Sequence, residues 1–163
     1  MKINFSTSGA QAESVVLKKF ENKEKNELTL FNGEEAKFNL ELHTASNRLL
    51  HTADMNFAVA SSNDTSVVFS LASTNGGSLD FRYVLPKDSY MLQFSVEANG
   101  LAGSLDGSMN KLIASWVMDI PQQEKGREFE DRYAQLYFYT PEDGRDYLSE
   151  NGNDEKSVED PVR

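Results

Sequence analysis

The chain has 163 residues, of which 39% are apolar and 10% aromatic, enough for one domain with a packed core. Sixteen basic residues stand against 26 acidic ones, a net charge of −10. That balance lacks the cationic surface that nucleic acids and anionic lipid headgroups need. There is no cysteine, which removes disulfides, thiolate metal sites and cysteine nucleophiles.

Apolar runs are short, as in Val15-Val16-Leu17 and Trp116-Val117-Met118, whereas a membrane span needs about 20 apolar residues. No membrane-spanning segment is therefore expected. No basic stretch followed by an apolar run opens the chain, so no secretory signal is expected there. A strand beginning at Met1-Lys2-Ile3 suggests the start of a cut domain.

In chain order, Ile3 and Phe5 alternate with polar neighbours, and Ser8-Gly9-Ala10 makes a turn. A second alternating strand follows, then a charged loop and the short apolar strand Leu28-Thr29-Leu30-Phe31. Phe38, Leu40 and Leu42 share one face of a strand. So do Val67, Phe69 and Leu71, then Phe81, Tyr83 and Leu85, then Leu92, Phe94 and Val96. Leu112 to Ile120 is a longer strand with Trp116, Met118 and Ile120 on one face. This period of two marks half-buried antiparallel strands.

Turn residues separate the runs: Asn32-Gly33, Asn75-Gly76-Gly77, Pro86-Lys87-Asp88, Asn99-Gly100 and Asp106-Gly107. Thr44 to Asn56 and Asn99 to Asn110 read as polar connections. Phe129, Tyr133, Leu136 and Tyr137 have helical spacing, but Leu136-Tyr137-Phe138-Tyr139 reads as strand. The expectation is a charged loop with a helical turn over 122–131 and a strand over 132–140. From Pro141 to Arg163, eight acids and three bases contribute half the net charge. That segment, 141–163, is expected to be an acidic loop or tail. The fold class is all-β, an antiparallel β-sandwich with at most one short helix, in a single domain over 1–163.

Chemistry is sparse. His43 and His51 are the only histidines. A metal site built on them would need a carboxylate partner, and both read as surface or structural residues. No G-x-S-x-G elbow occurs, and Gly103-Ser104 and Gly107-Ser108 are turn material. Asn75-Gly76-Gly77-Ser78 joins strands with no helix start to hold a phosphate. Asp143-Gly144-Arg145-Asp146 lacks the spaced carboxylates of a calcium loop. Adjacent Glu34 and Glu35 read as solvated acids. Trp116 reads as a core residue in preference to a sugar-stacking platform. The expected lists of catalytic, cofactor-binding and metal-binding residues are empty, with no cofactor and no enzymatic activity.

The order of the elements resembles the periplasmic domain of YidC-type membrane protein insertases, in the version found in Bacteroidetes. Ile3-Asn4-Phe5-Ser6, Ser8-Gly9-Ala10, the strand from Ser14 to Phe20 and Leu28-Thr29-Leu30-Phe31 match the family's opening. Ala10 departs from it, standing where the family has a second glycine. Phe81 to Pro86 followed by Ser89-Tyr90-Met91-Leu92 resembles a hairpin of the family. Trp116 to Gly126, Tyr137-Phe138-Tyr139 and Asp146 to Glu150 fit the same branch.

The resemblance implies a β-supersandwich of the galactose-mutarotase-like type, with this chain a truncated portion of the larger domain. It implies a non-catalytic role on the periplasmic side of the inner membrane, in insertion and folding of membrane proteins. Nascent membrane proteins and Sec translocon components are the implied partners, with no nucleic acid. The alternative is a carbohydrate-binding or mutarotase-like sandwich. Such an enzyme needs a histidine and an acid converging in a cleft, so the surroundings of His43 and His51 discriminate the two. A cut sandwich also implies an exposed apolar edge or patch.

Overall fold

The computed structural model describes residues 1–108, 111–149 and 152–158. The chain is all-β, with every strand pair antiparallel, and it groups into two compact units. Unit one holds residues 1–21 and 27–121, and unit two holds 22–26 and 122–163.

Unit one contains three sheets. The first has the order β1-β2-β3, built from β1 (Lys2–Phe5), β2 (Ala12–Glu21) and β3 (Glu27–Asn32). The Asn4 amide donates to the buried Ser14 hydroxyl across β1 and β2 at 2.7 Å. The second, order β10-β4-β5, joins β4 (Ala36–His43), β5 (Leu49–His51) and β10 (Ile113–Met118). The third runs β6-β7-β8-β9, from β6 (Ala58–Ser62), β7 (Ser66–Ala72), β8 (Ser78–Val84) and β9 (Gln93–Asn99).

The main core lies between the second and third sheets. Leu40 and Leu42 from β4 pack with Phe69 from β7 and with Leu79, Phe81 and Tyr83 from β8. That is the sandwich read from the alternating strands. Burying each of these side chains contributes roughly 1.5–3 kcal/mol. β7 departs from strict alternation, because neighbouring Val68 and Phe69 are both buried. A smaller cluster of Val15, Phe31 and Ala36 backs the first sheet.

Unit two contains α1 (Arg127–Asp131) and a hairpin of β11 (Leu136–Thr140) and β12 (Gly144–Leu148). Tyr137 pairs with Tyr147 across it, ring centroids 5.7 Å apart. The Arg145 guanidinium lies 4.0 Å over the Tyr137 ring, and Lys156 pairs with Asp146.

Several boundaries differ from the sequence expectation. The polar connection over Thr44 to Asn56 contains β5 and a 3-10 turn at Thr52–Asp54. There the Thr52 hydroxyl accepts from the Leu40 amide at 2.9 Å. β6 had no sequence signal, since Ala58–Ser62 reads AVASS and all five residues are exposed. The strand expected over 132–140 starts at Leu136. In the acidic segment 141–163, the expected loop is interrupted by β12, because Tyr147 and Leu148 have Tyr137 and Leu136 to pair with. Glu150, Glu159, Asp160 and Arg163 of that segment lie outside the described residues, as does Asn110.

Candidate functional site: an aromatic cleft and an open strand edge

The turn Ser8-Gly9-Ala10 leads into Gln11 and Ala12, which line the site. Gly9 and Ala10 both have positive φ, 71° and 49°. Alanine in the left-handed region costs about 1–2 kcal/mol. The backbone therefore keeps a conformation suited to two glycines even though the second position is alanine. Ala10 is fully buried, and its carbonyl accepts a hydrogen bond from the Tyr83 hydroxyl at 2.7 Å. Burial pushes the Tyr83 phenol well above its ordinary range, so it stays protonated and remains a donor.

Tyr83 opens a continuous run of rings. It stacks on Phe94 at 4.8 Å and touches Phe5 at 4.7 Å. Phe94 in turn meets Phe38 edge-on at 5.3 Å. In the β10–β4 register Trp116 stands opposite Phe38. Tyr83, Phe94, Phe38 and Trp116, with Phe31 and Leu92, line a cavity of about 200 Å³. Its walls are aromatic and aliphatic; Gln11 brings a polar side chain, and its Oε1 accepts from the Phe38 amide at 2.7 Å. A second cavity, about 480 Å³, lies between β1 and the Asn63–Ser66 turn, with Phe5, Phe69 and Tyr83 in its wall.

Trp116 is 67% exposed, which corrects its assignment to the core. It shares its strand face with Met118 as expected, but that face opens at the mouth of the cleft and is not covered. All of Ile113–Met118 is exposed, and so are Leu112 and Ile120. The result is an apolar edge on unit one.

The histidines lie elsewhere. His43 is exposed at the end of β4, and its carbonyl accepts from the Asp106 amide at 2.9 Å. The Asp106 carboxyl lies below its usual range, mainly through hydrogen bonds from the Ser108 amide and hydroxyl, with the nearby His43 adding a smaller effect. That acid and histidine meet on the exposed surface and line neither cavity. His51 Nδ1 accepts from the Asn39 side-chain amide at 3.1 Å, and Asn39 also accepts from the Ala53 amide. An amide partner orients an imidazole but supplies no acid–base relay. Glu34 is fully exposed and pairs with Lys37 at 2.9 Å. Among the described residues, no group of three or more His, Asp or Glu could hold a metal ion. The aromatic cleft went unread in the sequence because its rings come from β3, β4, β8, β9 and β10, which only the sheet order brings together.

Comparison with known proteins adds what the geometry lacks. The family profile of the YidC periplasmic domain matches residues 1–160. The chain is 38% identical over 159 residues to a membrane protein insertase YidC of Parabacteroides distasonis, covering 97% of this chain and 25% of that protein. It is 34% identical to the protein of that name from Azobacteroides pseudotrichonymphae, covering 97% of this chain and 26% of the relative. For Porphyromonas gingivalis the figures are 34%, 98% and 26%. The chain thus spans about a quarter of the length of these relatives. No solved structure matches. By its family profile and by these relatives, the chain belongs to the YidC periplasmic domain family.

Proposed function

We propose that this chain is a non-catalytic domain on the periplasmic side of the inner membrane, assisting the insertion and folding of membrane proteins with or without the Sec translocon. The observation that carries this reading is the family match along residues 1–160, supported by relatives named as insertases. Partners of an insertase are apolar segments leaving water. The cleft bounded by Phe38, Phe94 and Trp116 and the exposed apolar edge at Ile113–Met118 suit such segments, since burial of apolar surface drives the contact. The acidic surface does not favour nucleic acid. Among the described residues no helix is long and apolar enough to cross a membrane.

The test uses a full-length insertase carrying this chain in a cell depleted of its own. A photoreactive residue at Trp116 is expected to form adducts with nascent membrane proteins or translocon subunits, and deleting 1–160 to slow insertion of some substrates. Normal insertion after the deletion, together with no adducts, would overturn the reading. Sugar turnover lost on replacing His43 or His51 would replace it with the mutarotase-like alternative.

A further inference from the structure

Asparagine followed by glycine occurs four times, at Asn32-Gly33, Asn75-Gly76, Asn99-Gly100 and Asn151-Gly152. Asn151 lies outside the described residues. The pairing is chemically special. Glycine has no Cβ to shield its amide nitrogen, so that nitrogen can reach the preceding carboxamide carbon and close a cyclic imide. Closure needs the asparagine backbone to rotate out of the extended strand conformation, and it needs a carboxamide free to swing. Asn32, Asn75 and Asn99 are all exposed, so exposure does not rank them. Restraint does.

Asn32 closes β3 in extended conformation, with φ −148° and ψ 134°. It pairs with Ser14 in the ladder, and its amide donates to the Glu35 carboxylate at 2.7 Å. Asn99 closes β9 opposite Ser78. Its carboxamide donates to Asp80 Oδ2 at 2.9 Å. Its peptide with Gly100 lies so close to Gly77 that a Cβ there would stand 2.7 Å from the Gly100 carbonyl oxygen. Asn75 lies in the connection from β7 to β8 and in no strand. Among the described residues no hydrogen bond holds its carboxamide. Two backbone bonds to Ser73 restrain the pair: the Asn75 amide to the hydroxyl at 3.4 Å and the Gly76 amide to the carbonyl at 3.1 Å. Both are longer than the usual value of roughly 2.9–3.0 Å. An added Cβ on Gly76 would meet nothing within 4 Å, so the imide has room to close.

We propose that Asn75-Gly76 is a self-modification site, where the folded chain converts asparagine to aspartate and isoaspartate ahead of Asn32-Gly33 and Asn99-Gly100. The Gly76 nitrogen gives its proton to solvent base and attacks Asn75 Cγ. An N–C bond forms, the Cγ–Nδ2 bond breaks, and Nδ2 leaves as ammonia with a solvent proton. Water then opens the imide. Attack at Cγ gives aspartate with the original main chain. Attack at the Asn75 main-chain carbonyl carbon gives isoaspartate, whose main chain runs through the side chain and is one carbon longer. Either product adds a negative charge to a chain already at −10. The extra carbon falls inside the turn that the Ser73 amide closes on the Gly77 carbonyl at 3.0 Å, so isoaspartate loosens the β7–β8 hairpin.

The test incubates the whole chain in warm, mildly alkaline buffer. Peptide mapping by mass spectrometry follows each asparagine, and an isoaspartate-specific methyltransferase marks the longer product. In the folded chain Asn75 is expected to react about tenfold or more faster than Asn32 and Asn99. In guanidinium chloride, which removes the restraints, the three rates are expected to converge, with Asn32 and Asn99 accelerating most. The Asn75→Asp variant carries the new charge without the extra carbon. The isolated isoaspartate form is expected to unfold at a lower urea midpoint than that variant. Folded-chain rates at Asn32 or Asn99 equal to that at Asn75 overturn the proposal. So does an Asn75 that stays intact in the folded chain and reacts only in guanidinium chloride, since the bonds to Ser73 would then hold it. An isoaspartate form as stable as Asn75→Asp overturns the loosening of the hairpin.

Discussion

The Tyr83 hydroxyl donates to the Ala10 carbonyl at 2.7 Å, across 73 positions of sequence. A ring on the innermost face of β8 thus holds the turn that ends the first hairpin strand, and both residues are buried.

Replacing that donor should be costly. Tyr83→Phe keeps the ring contacts with Phe5 and Phe94 and leaves a buried carbonyl without this partner. The expected loss is about 1–3 kcal/mol, read as a lower urea midpoint with an unchanged slope. A loss near zero would mean that water replaces the hydroxyl.

Ala10 itself separates two effects. Ala10→Gly relieves left-handed strain of about 1–2 kcal/mol but gives up a buried methyl of about 0.8 kcal/mol and adds chain entropy of about 0.5–1 kcal/mol. These nearly cancel, so chemical denaturation should place the variant within about 1 kcal/mol of the parent. A β-branched residue at positive φ is a far worse fit. Ala10→Val should lose about 2 kcal/mol or more, because strain and overpacking add.

How much was legible depended on where each side chain's cover came from. Phe81 and Tyr83 alternate with Arg82 and point into the core of their own sandwich, so local period sufficed. Trp116 alternates equally well, but its burial depends on whether another layer lies over β10, and no local pattern carries that. β6 was missed because Ala and Ser give neither an apolar face nor β propensity. The cleft was missed because it exists only after β4 and β9 come together through Phe38 and Phe94. The acidic segment read as loop until Tyr147 found Tyr137.

The contrast between Phe81 and Trp116 can be measured. Phe81 is fully buried, and Phe81→Ala should cost about 3–5 kcal/mol. Trp116→Ala should cost about 0.5 kcal/mol or less, as exposed positions do. Trp116 is the lone tryptophan, so the native chain's fluorescence should be red-shifted and open to acrylamide quenching.

Acid should weaken the third sheet through Asp80. Its carboxyl accepts from the Ser70 hydroxyl at 2.5 Å and from the Asn99 amide at 2.9 Å. These bonds, the Ser70 one foremost, hold it below its ordinary value of 3.8, against a raising effect of burial. A carboxyl with a depressed folded pKa contributes stability that is complete above the unfolded value and fades as pH falls through the folded one. Thermal melts should therefore lose this contribution below about pH 4. Asp80→Asn should flatten that part of the pH profile.

Gly77 is the tightest glycine. At φ 87°, an added Cβ would lie 2.7 Å from the Gly100 carbonyl oxygen, which is backbone and cannot swing aside. Gly77→Ala should cost about 2–4 kcal/mol from strain plus overpacking. Gly76→Ala, with open space around it, should cost only the conformational part.

β7 is flanked on both edges, by β6 and β8, and carries buried residues on neighbouring positions. It meets β8 in seven unbroken pairs, from Ser66 with Val84 to Ala72 with Ser78. The two strands are joined by a connection of only five residues, Ser73 to Gly77. Little loop entropy is lost in closing it, so this hairpin is the piece best placed to form early while the distant Phe38–Phe94 contact is still open. Its amides should be among the last to exchange with deuterium, and those of the exposed β6 and β10 among the first. The same sheet that buries the core thus sets a time order within the chain, with an inner hairpin as the template on which later strands assemble.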